Sequence, residues 1–292
     1  MLWPHAGRRH ARNVEIEQRV AAARRDNPEA EAWLRLLEPA LTESADGAGW
    51  ETAVLPPSGD RPVKAPLLSR ARISIDARAV RKWVQRLLEL AAPGDSGRVD
   101  GVVLLEAALD QDDARLDALA GDAGLEPHLM HVVGQVAVLP LLRACAEELA
   151  GQIPSPWWEG YCPLCGAWPV LAEYTGLERA RQLRCARCGS GWAIPVLRCA
   201  FCDETDHERL GYLTPDGEQT RRVEVCNTCK GYLKATTTIR PLAAWAILLD
   251  DLTTVPLDVA AFDRGFRRPE RPGYALDAEL VEGGGGQGRV SR

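Results

Sequence analysis

The spacing of apolar residues changes about halfway along this chain, from a helical period to the alternation that is typical of short strands. In the first half, apolar positions recur every three or four residues, which predicts amphipathic helices. Residues 44–66 are rich in Gly, Pro and small polar types, so they predict a long loop. The predicted helices cover 12–43 with a break near Asn27-Pro28, the stretch from Asp76 to Pro93, Val102–Leu109, Asp112–Gly121 and Pro127–Leu149.

Two residues add detail to these helices. Asp76 is the predicted N-cap of the second helix, because a short acidic side chain can accept hydrogen bonds from the first free N–H groups. Pro140 lies inside the last helix, where it removes one backbone donor and is expected to kink the helix. We therefore expect residues 1–150 to form an all-α helical domain.

Beyond the linker Gly151–Gly160, the pattern predicts strands and then a short helical end. A final amphipathic helix is predicted at Leu242–Leu252, followed by the apolar segment Val255–Phe262. The tail from Arg268, with its run of glycines, is predicted to be disordered. The predicted strands are Trp168–Glu173, Trp192–Leu197, Arg209–Leu213, Arg222–Val225 and Leu233–Thr238.

Eight of the nine cysteines fall in this second half as four C-x-x-C pairs. Each pair can place two thiolates on one metal ion, so four pairs supply the ligands of two tetrahedral sites. The pairs are Cys162/Cys165, Cys185/Cys188, Cys199/Cys202 and Cys226/Cys229.

The intervals between the pairs favour sequential grouping. Nineteen residues separate the first pair from the second and twenty-three separate the third from the fourth, close to the spacing at which two such turns close one site. Site 1 is then Cys162, Cys165, Cys185 and Cys188, and site 2 is Cys199, Cys202, Cys226 and Cys229. An interleaved grouping is also chemically possible. Gly166 and Gly189 follow the second ligand of the first two pairs, whereas Asp203 and Lys230 stand there in the others, which predicts a looser site 2.

Composition limits the possible classes of protein. The net charge of −6 and pI near 5.5 give no general attraction to nucleic acid, and basic and acidic residues balance around the cysteines. The uninterrupted apolar run Leu242–Leu249 is far short of a membrane span, and the N-terminus lacks the apolar region of an export signal. A cytoplasmic location is therefore expected, with cysteines that bind metal rather than form disulfides.

The order of these motifs resembles the FdhE family of formate dehydrogenase accessory proteins. The resemblance is specific from about Trp157 to Phe266 and general in the helical half. It implies a non-enzymatic cytoplasmic factor that binds the catalytic subunit of a formate dehydrogenase and assists its maturation. It also implies rubredoxin-like cysteine turns that hold iron, although four thiolates accept zinc as well. The stretches that carry it are Tyr161–Gly166, Leu183–Cys188, Arg198–Cys202, Cys226–Lys234, Asp250-Asp251-Leu252 and Leu257-Asp258.

The resulting prediction is an α+β protein with two metal ions, zinc or iron. Its predicted parts are the helical domain at 1–150, two tandem rubredoxin-like or zinc-ribbon modules at 151–198 and 199–240, a C-terminal helical segment at 241–267 and the tail at 268–292. Each module is too small to hold a core of its own, so bound metal is expected to supply much of its folding free energy.

Two alternatives from other functional classes remain open at this point. A nucleic-acid-binding zinc ribbon is suggested by arginines around site 1, namely Arg179, Arg181, Arg184 and Arg187. A dithiol oxidoreductase is suggested by the C-x-x-C pairs, but these pairs lie between strands rather than at a helix N-terminus.

Other residues are weaker candidates for function. His128 and His131 are one helical turn apart and could share a metal, and His207 could replace a cysteine of site 2. Cys145 lies on the apolar side of its helix and is predicted to be a buried small residue. The sequence contains no phosphate-binding P-loop, serine-hydrolase elbow or zinc-protease motif, so no catalytic set is predicted. Candidate partner contacts are Trp157, Trp158, Trp168 and Trp192.

Overall fold

Nine α-helices and nine strands are found among the residues that the computed structural model describes, which are 4–47, 50, 52–55, 62–94 and 99–283. The first seven helices precede the cysteine-rich region and the last two follow it. The helices are α1 (Pro4–Asp26), α2 (Glu31–Asp46), α3 (Ala77–Ala91), α4 (Gly101–Asp110), α5 (Asp113–Ala123), α6 (Pro127–Ala137), α7 (Leu139–Glu148), α8 (Ala246–Leu252) and α9 (Val255–Phe262).

Short acidic side chains begin three of these helices. The Asp76 carboxylate accepts hydrogen bonds from the backbone N–H groups of Arg78 and Ala79, so the predicted cap of α3 is confirmed. Asp100 and Asp112 cap α4 and α5 in the same way. Because each cap satisfies donors that the helix itself leaves free, it fixes where the helix starts.

The predicted helix with Pro140 is divided into α6 and α7 at Val138, which is the break that the proline leads us to expect. The whole stretch Pro127–Glu148 is long and apolar enough to cross a membrane by length and composition. However, 67% of its most apolar window is buried inside the fold. This burial fits a core helix that packs against α2, α3, α4 and α5.

A small three-stranded sheet lies within the helical half, where the sequence predicted only helices and loops. It consists of β1 (Ala53–Leu55), β2 (Arg72–Ile75) and β9 (Glu279–Glu282), with β2 between the other two. The prediction of disorder from Arg268 onward is wrong for residues 268–283, because Leu276 and Leu280 are buried and β9 pairs in parallel with β2. Residues 284–292, which hold most of the glycine run, lie outside the described residues.

The cysteine-rich region forms one six-stranded sheet rather than two separate ribbons. Its strand order is β5-β4-β3-β8-β7-β6, and the central pair β3 and β8 is parallel while every other pair is antiparallel. The α+β fold class is therefore confirmed, with the two modules joined edge to edge. The strands are β3 (Leu171–Thr175), β4 (Ala180–Arg184), β5 (Gly191–Ala193), β6 (Leu210–Leu213), β7 (Arg221–Cys226) and β8 (Tyr232–Thr238).

The main apolar core runs without interruption from the helices into the first module. It contains the cysteines of site 1 together with residues of the helical half such as Leu104 and Leu142. The cysteines of site 2 are not part of it. A second, smaller cluster lies between the sheet and α9, and its members are Val223, Val225, Tyr232, Leu257, Ala261 and Phe266.

Candidate metal centres

The structure brings the eight cysteines together in the two groups that sequential pairing predicts. Within each group the four Sγ atoms lie within 4.8 Å of one another. The distances are 3.4 Å for Cys162–Cys188 and 3.5 Å for Cys165–Cys185, and they exclude a disulfide bond, whose sulfurs are about 2.05 Å apart. The interleaved grouping is therefore not the one that the fold adopts.

The second group has the same geometry. The Sγ atoms of Cys199 and Cys229 are 3.7 Å apart, as are those of Cys202 and Cys226. Four ligands at about 2.3 Å from a tetrahedral ion lie roughly 3.8 Å from one another. Each group could thus hold one zinc or iron ion with little movement of its cysteine side chains. We refer to them below as centre 1 and centre 2.

All four C-x-x-C turns share one backbone pattern. In each, the N–H of the first cysteine donates to the carbonyl oxygen five residues later, over distances of 2.8–3.0 Å. The N–H groups of Leu164, Phe201 and Gly231 also point at thiolate sulfurs, at 3.4, 3.4 and 3.3 Å. Such N–H donors offset negative charge on the sulfurs, which prepares the turn for thiolate ligands. The carbonyl acceptors are those of Ala167, Ser190, Glu204 and Gly231.

The residue after the second cysteine takes a left-handed backbone conformation in every turn. Gly166 and Gly189 do so in centre 1, at φ of 69° and 79°. Asp203 and Lys230 do so in centre 2, at 61° and 59°, where a side chain makes the conformation unfavourable. The four turns therefore share one backbone conformation, and the less ideal turns predicted at these two positions differ in carrying a side chain where centre 1 has glycine.

Electrostatics also favours a bound cation in centre 1. Burial raises the pKa of the Cys162 thiol, whereas hydrogen bonds from the other three cysteines lower the pKa of Cys185. Four thiolates at these separations require a positive ion between them.

The two centres differ sharply in their surroundings. All four cysteines of centre 1 are buried, whereas Cys202 and Cys229 of centre 2 are exposed. The N–H groups of Leu67 and Leu68 donate to the carbonyls of Pro163 and Leu164 in the first turn, at 2.8 and 3.0 Å. Centre 1 is therefore covered by the helical half, while centre 2 faces outward.

The arginines around centre 1 are mostly engaged inside the protein. Arg184 pairs with the fully buried carboxylate of Glu173, and Arg181 pairs with Glu224 at 2.5 Å. Arg187 donates to the backbone carbonyls of Ala108 and Leu109 at the end of α4. Three of the four arginines that suggested nucleic-acid binding are thus unavailable to phosphates, and Arg179 alone is exposed.

The weaker candidates do not join either centre. His131 contacts Asp117 at 2.8 Å and Asp113 at 3.4 Å, both on α5, and His207 is exposed outside the second group. Cys145 is buried, which raises the pKa of its thiol to about 12. Its predicted role as a small core residue fits this environment.

The four tryptophans are not equivalent as partner contacts. Trp157 and Trp192 are buried and donate to the carbonyls of Tyr161 and Glu159. Trp168 is half-buried and donates to the carbonyl of Arg271. Trp158 is exposed and is the one of the four that a partner can reach.

A cavity of about 290 Å³ beside centre 2 escaped the sequence analysis. It lies over the sheet, and Val196, Leu197 and Tyr212 on its walls are more than half exposed. No short motif marks it, because its walls come from the 196–201 loop and from strands that are distant in sequence. Exposed large apolar side chains grouped around one cavity are typical of an interaction site.

Comparison with known proteins relates the chain to one group. A family model described as the C-terminal domain of FdhE matches residues 197–272. An FdhE homologue from Aquifex aeolicus is 29% identical over 135 residues, which cover 45% of this chain and 47% of that protein. FdhE from Escherichia coli is 31% identical over 111 residues, which cover 37% of this chain and 35% of that protein. The chain thus aligns with about half or less of the length of these curated relatives.

One solved structure resembles nearly the whole fold. The crystal structure of the FdhE protein from Pseudomonas aeruginosa aligns with 91% of this chain and 95% of its own, with a TM-score of 0.55 and 22% sequence identity. The likeness therefore extends to the helical half, which the family model at residues 197–272 does not cover. At this identity it establishes the fold alone.

Proposed function

We propose, from its similarity to FdhE proteins, that this chain is an accessory protein of the FdhE family that binds the catalytic subunit of a formate dehydrogenase and assists its assembly. The observation that carries this proposal is the pair of four-cysteine groups set into one continuous sheet. Such turns make a rigid surface, which suits recognition of a partner. The protein then acts by binding rather than by catalysing a reaction.

Each centre holds one ion on this proposal. Cys162, Cys165, Cys185 and Cys188 are the proposed ligands of centre 1, and Cys199, Cys202, Cys226 and Cys229 those of centre 2. Zinc is the default for a closed structural site of four thiolates, and iron is its rival because the same donors accept it. Elemental analysis of protein produced with both metals available distinguishes the two.

The face around centre 2 is the proposed contact for the catalytic subunit. Its support is the contrast between the centres, since centre 1 is covered by this protein's own helices and centre 2 has exposed ligands. The cavity beside centre 2 adds exposed apolar side chains, including Leu197 and Tyr212. An incompletely assembled subunit exposes apolar surface, which such a cavity can bind.

Direct binding to the purified catalytic subunit tests the proposal. We expect the wild-type protein to bind it, and Leu197→Asp or Tyr212→Asp to weaken binding by at least about tenfold, since a buried apolar anchor contributes about 1–2 kcal/mol or more. Leu177→Asp is the matched control, because this leucine is fully exposed in the turn between β3 and β4 of the same sheet but does not line the cavity. Absence of wild-type binding would overturn the proposed function, whereas equal binding by all variants would overturn only the proposed face.

A further inference from the structure

Arg143 on α7 is a buried arginine that lies directly against the second cysteine turn of centre 1. The residue is 7% exposed. Its Nη2 donates to the carbonyl of Ala244 at 2.6 Å and to that of Ala186, within the turn itself, at 3.4 Å. A Cβ atom added to Gly189 would overlap Arg143 Nη1, so the guanidinium occupies the space over this glycine. The helical half thus places a positive charge on the surface of centre 1.

This positive charge has no carboxylate partner among the described residues. The other two buried arginines, Arg181 and Arg184, each pair with a glutamate. Arg143 forms no such ion pair, and its Nη1 has no hydrogen-bond partner in the part of the chain that the structure describes. A buried guanidinium keeps its charge, so it needs an anion nearby to offset the cost of leaving water.

The turn that Arg143 contacts carries two of the four ligands of centre 1, Cys185 and Cys188. Burial lowers the pKa of Arg143, and the charges of Cys188, Cys185 and Cys165 oppose that shift. Four thiolates around a divalent ion carry a net charge of −2, or −1 around a trivalent ion. One guanidinium against the turn offsets part of this charge in a region where little water screens it.

We propose that Arg143 is the counter-cation of centre 1, so that metal binding in this centre and docking of the helical half stabilise each other. With metal bound, the anionic centre compensates the buried arginine. Without that anionic centre, the guanidinium has only the backbone carbonyls of Ala186 and Ala244 as partners. By reciprocity, whatever the metal contributes to docking, docking contributes equally to metal affinity.

A purely structural role for Arg143 is the competing interpretation, because its bonds to Ala186 and Ala244 also connect the two halves. Two substitutions separate charge from hydrogen bonding. Arg143→Lys keeps the charge, while Arg143→Gln keeps a donor and loses the charge. If only the hydrogen bonds matter, the two variants behave alike, and if the charge matters, lysine rescues the function that glutamine does not.

The experiment measures metal affinity at centre 1 alone. The parent protein is the full chain with Cys202→Ser and Cys229→Ser, which disables centre 2, and retention of one ion per chain verifies that centre 1 is intact. We expect Arg143→Gln to weaken cobalt(II) binding in competition with a chelator by about 10–100-fold, as loss of outer partners of a metal site does, and Arg143→Lys to stay within about threefold of the parent. Arg115→Gln, on the helical half but paired with Glu106, is the matched control.

A second readout responds to charge rather than to folding. With iron bound, loss of a nearby positive charge favours the oxidised, less negative centre, so Arg143→Gln lowers the reduction potential and Arg143→Lys leaves it close to the parent value. If Arg143→Gln matches the parent in affinity and potential, or if Arg143→Lys loses as much as Arg143→Gln, the counter-cation role is wrong. These measurements require no formate dehydrogenase, so their outcome is independent of the proposed client.

Discussion

Lys234 Nζ lies 2.7 Å from Asp258 Oδ2, so that a lysine of the central strand β8 is neutralised by a carboxylate of α9. Lys234 is 1% exposed and also reaches Asp251, while Arg268 pairs with both aspartates. Two cations and two anions therefore fasten α8, α9 and the following segment to the sheet. The motifs that carry the family resemblance include Lys234, Asp251 and Asp258. Because these three residues form one ion-pair cluster, the structure explains what the motifs do in the fold.

Removal of Lys234 should destabilise the protein strongly. Lys234→Met leaves Asp251 and Asp258 with Arg268 as their remaining ion-pair partner, and breaking a buried pair from one side costs about 3–5 kcal/mol of unfolding free energy. Urea denaturation measures this loss. Lys64→Met is the control, because Lys64 also pairs with a glutamate but is 74% exposed, so its loss should cost less than about 1 kcal/mol. Equal losses would show that burial of the cluster does not matter.

The same cluster predicts a pH dependence. Burial by itself raises the pKa of Asp251, but Arg268 and Lys234 outweigh it, so the pKa lies below its usual value. A carboxylate whose folded pKa is lowered stabilises the fold above its unfolded pKa of about 3.9, and this contribution disappears as the pH falls through the folded value. The difference in unfolding free energy between wild type and Lys234→Met should therefore be full at pH 6 and shrink below about pH 4. If the difference in unfolding free energy between the two proteins stays constant down to pH 3, the lowered pKa of Asp251 is not its cause.

Substitution of single cysteines should separate ligands from the core thiol. Cys162→Ser or Cys185→Ser removes one of four sulfurs from centre 1, and we expect the variant to contain one ion fewer per chain. Cys145→Ser should leave the metal content unchanged, because Cys145 lies in the core outside both groups. Elemental analysis of the purified variants gives the count. An equal loss of metal in all three variants would contradict the ligand assignment.

A chelator should remove the ion of centre 2 before that of centre 1. Two ligands of centre 2 are exposed, whereas all four of centre 1 are buried beneath the helical half. Native mass spectrometry during incubation with EDTA should therefore show a lasting species with one ion per chain. Cys202→Ser, which disables centre 2, should abolish the fast phase of metal release and leave the slow release from centre 1. A single release phase for both ions would mean that the difference in burial has no effect on metal exchange.

Relief of backbone strain should stabilise the fourth cysteine turn. Lys230 has a φ of 59°, and glycine adopts this conformation without the steric penalty. Lys230→Gly should raise the unfolding free energy by about 0.5–1 kcal/mol and slow metal release from centre 2. Lys230→Ala is the control, since it also loses the contacts of the ammonium with Asn227 and Phe266 but keeps the strain. Stabilisation by alanine as large as that by glycine would exclude strain as the cause.

The metal centres could be predicted from sequence because their information is local. Each C-x-x-C turn carries its own two ligands, and the intervals between turns favoured the grouping that the structure has. The residue after each pair also indicated which turns are strained, since Gly166 and Gly189 differ visibly from Asp203 and Lys230. The predicted helices were found, because helical periodicity and capping act within a few residues, although α1 begins eight residues before its predicted start and α8 four residues after.

The relations between distant segments could not be predicted. Leu171 lies opposite Lys234 in the parallel pair that joins the two modules, and no local pattern distinguishes this pairing from two separate ribbons. Likewise, Leu276 and Leu280 are isolated apolar residues in a polar tail by sequence, and only the pairing of β9 with β2 explains their burial. By sequence, Arg143 is one charged residue within an apolar helix. Only the fold shows that its guanidinium lies against Gly189 in the second cysteine turn of centre 1.

The enclosure of centre 1 imposes an order of events on biosynthesis. The N-terminal helices leave the ribosome before the cysteines do, yet in the finished protein those helices close over the sulfurs. An ion therefore has direct access to the four ligands of centre 1 only after the second cysteine turn has been synthesised and before the helices settle on it, whereas later exchange needs a local opening of the helical half.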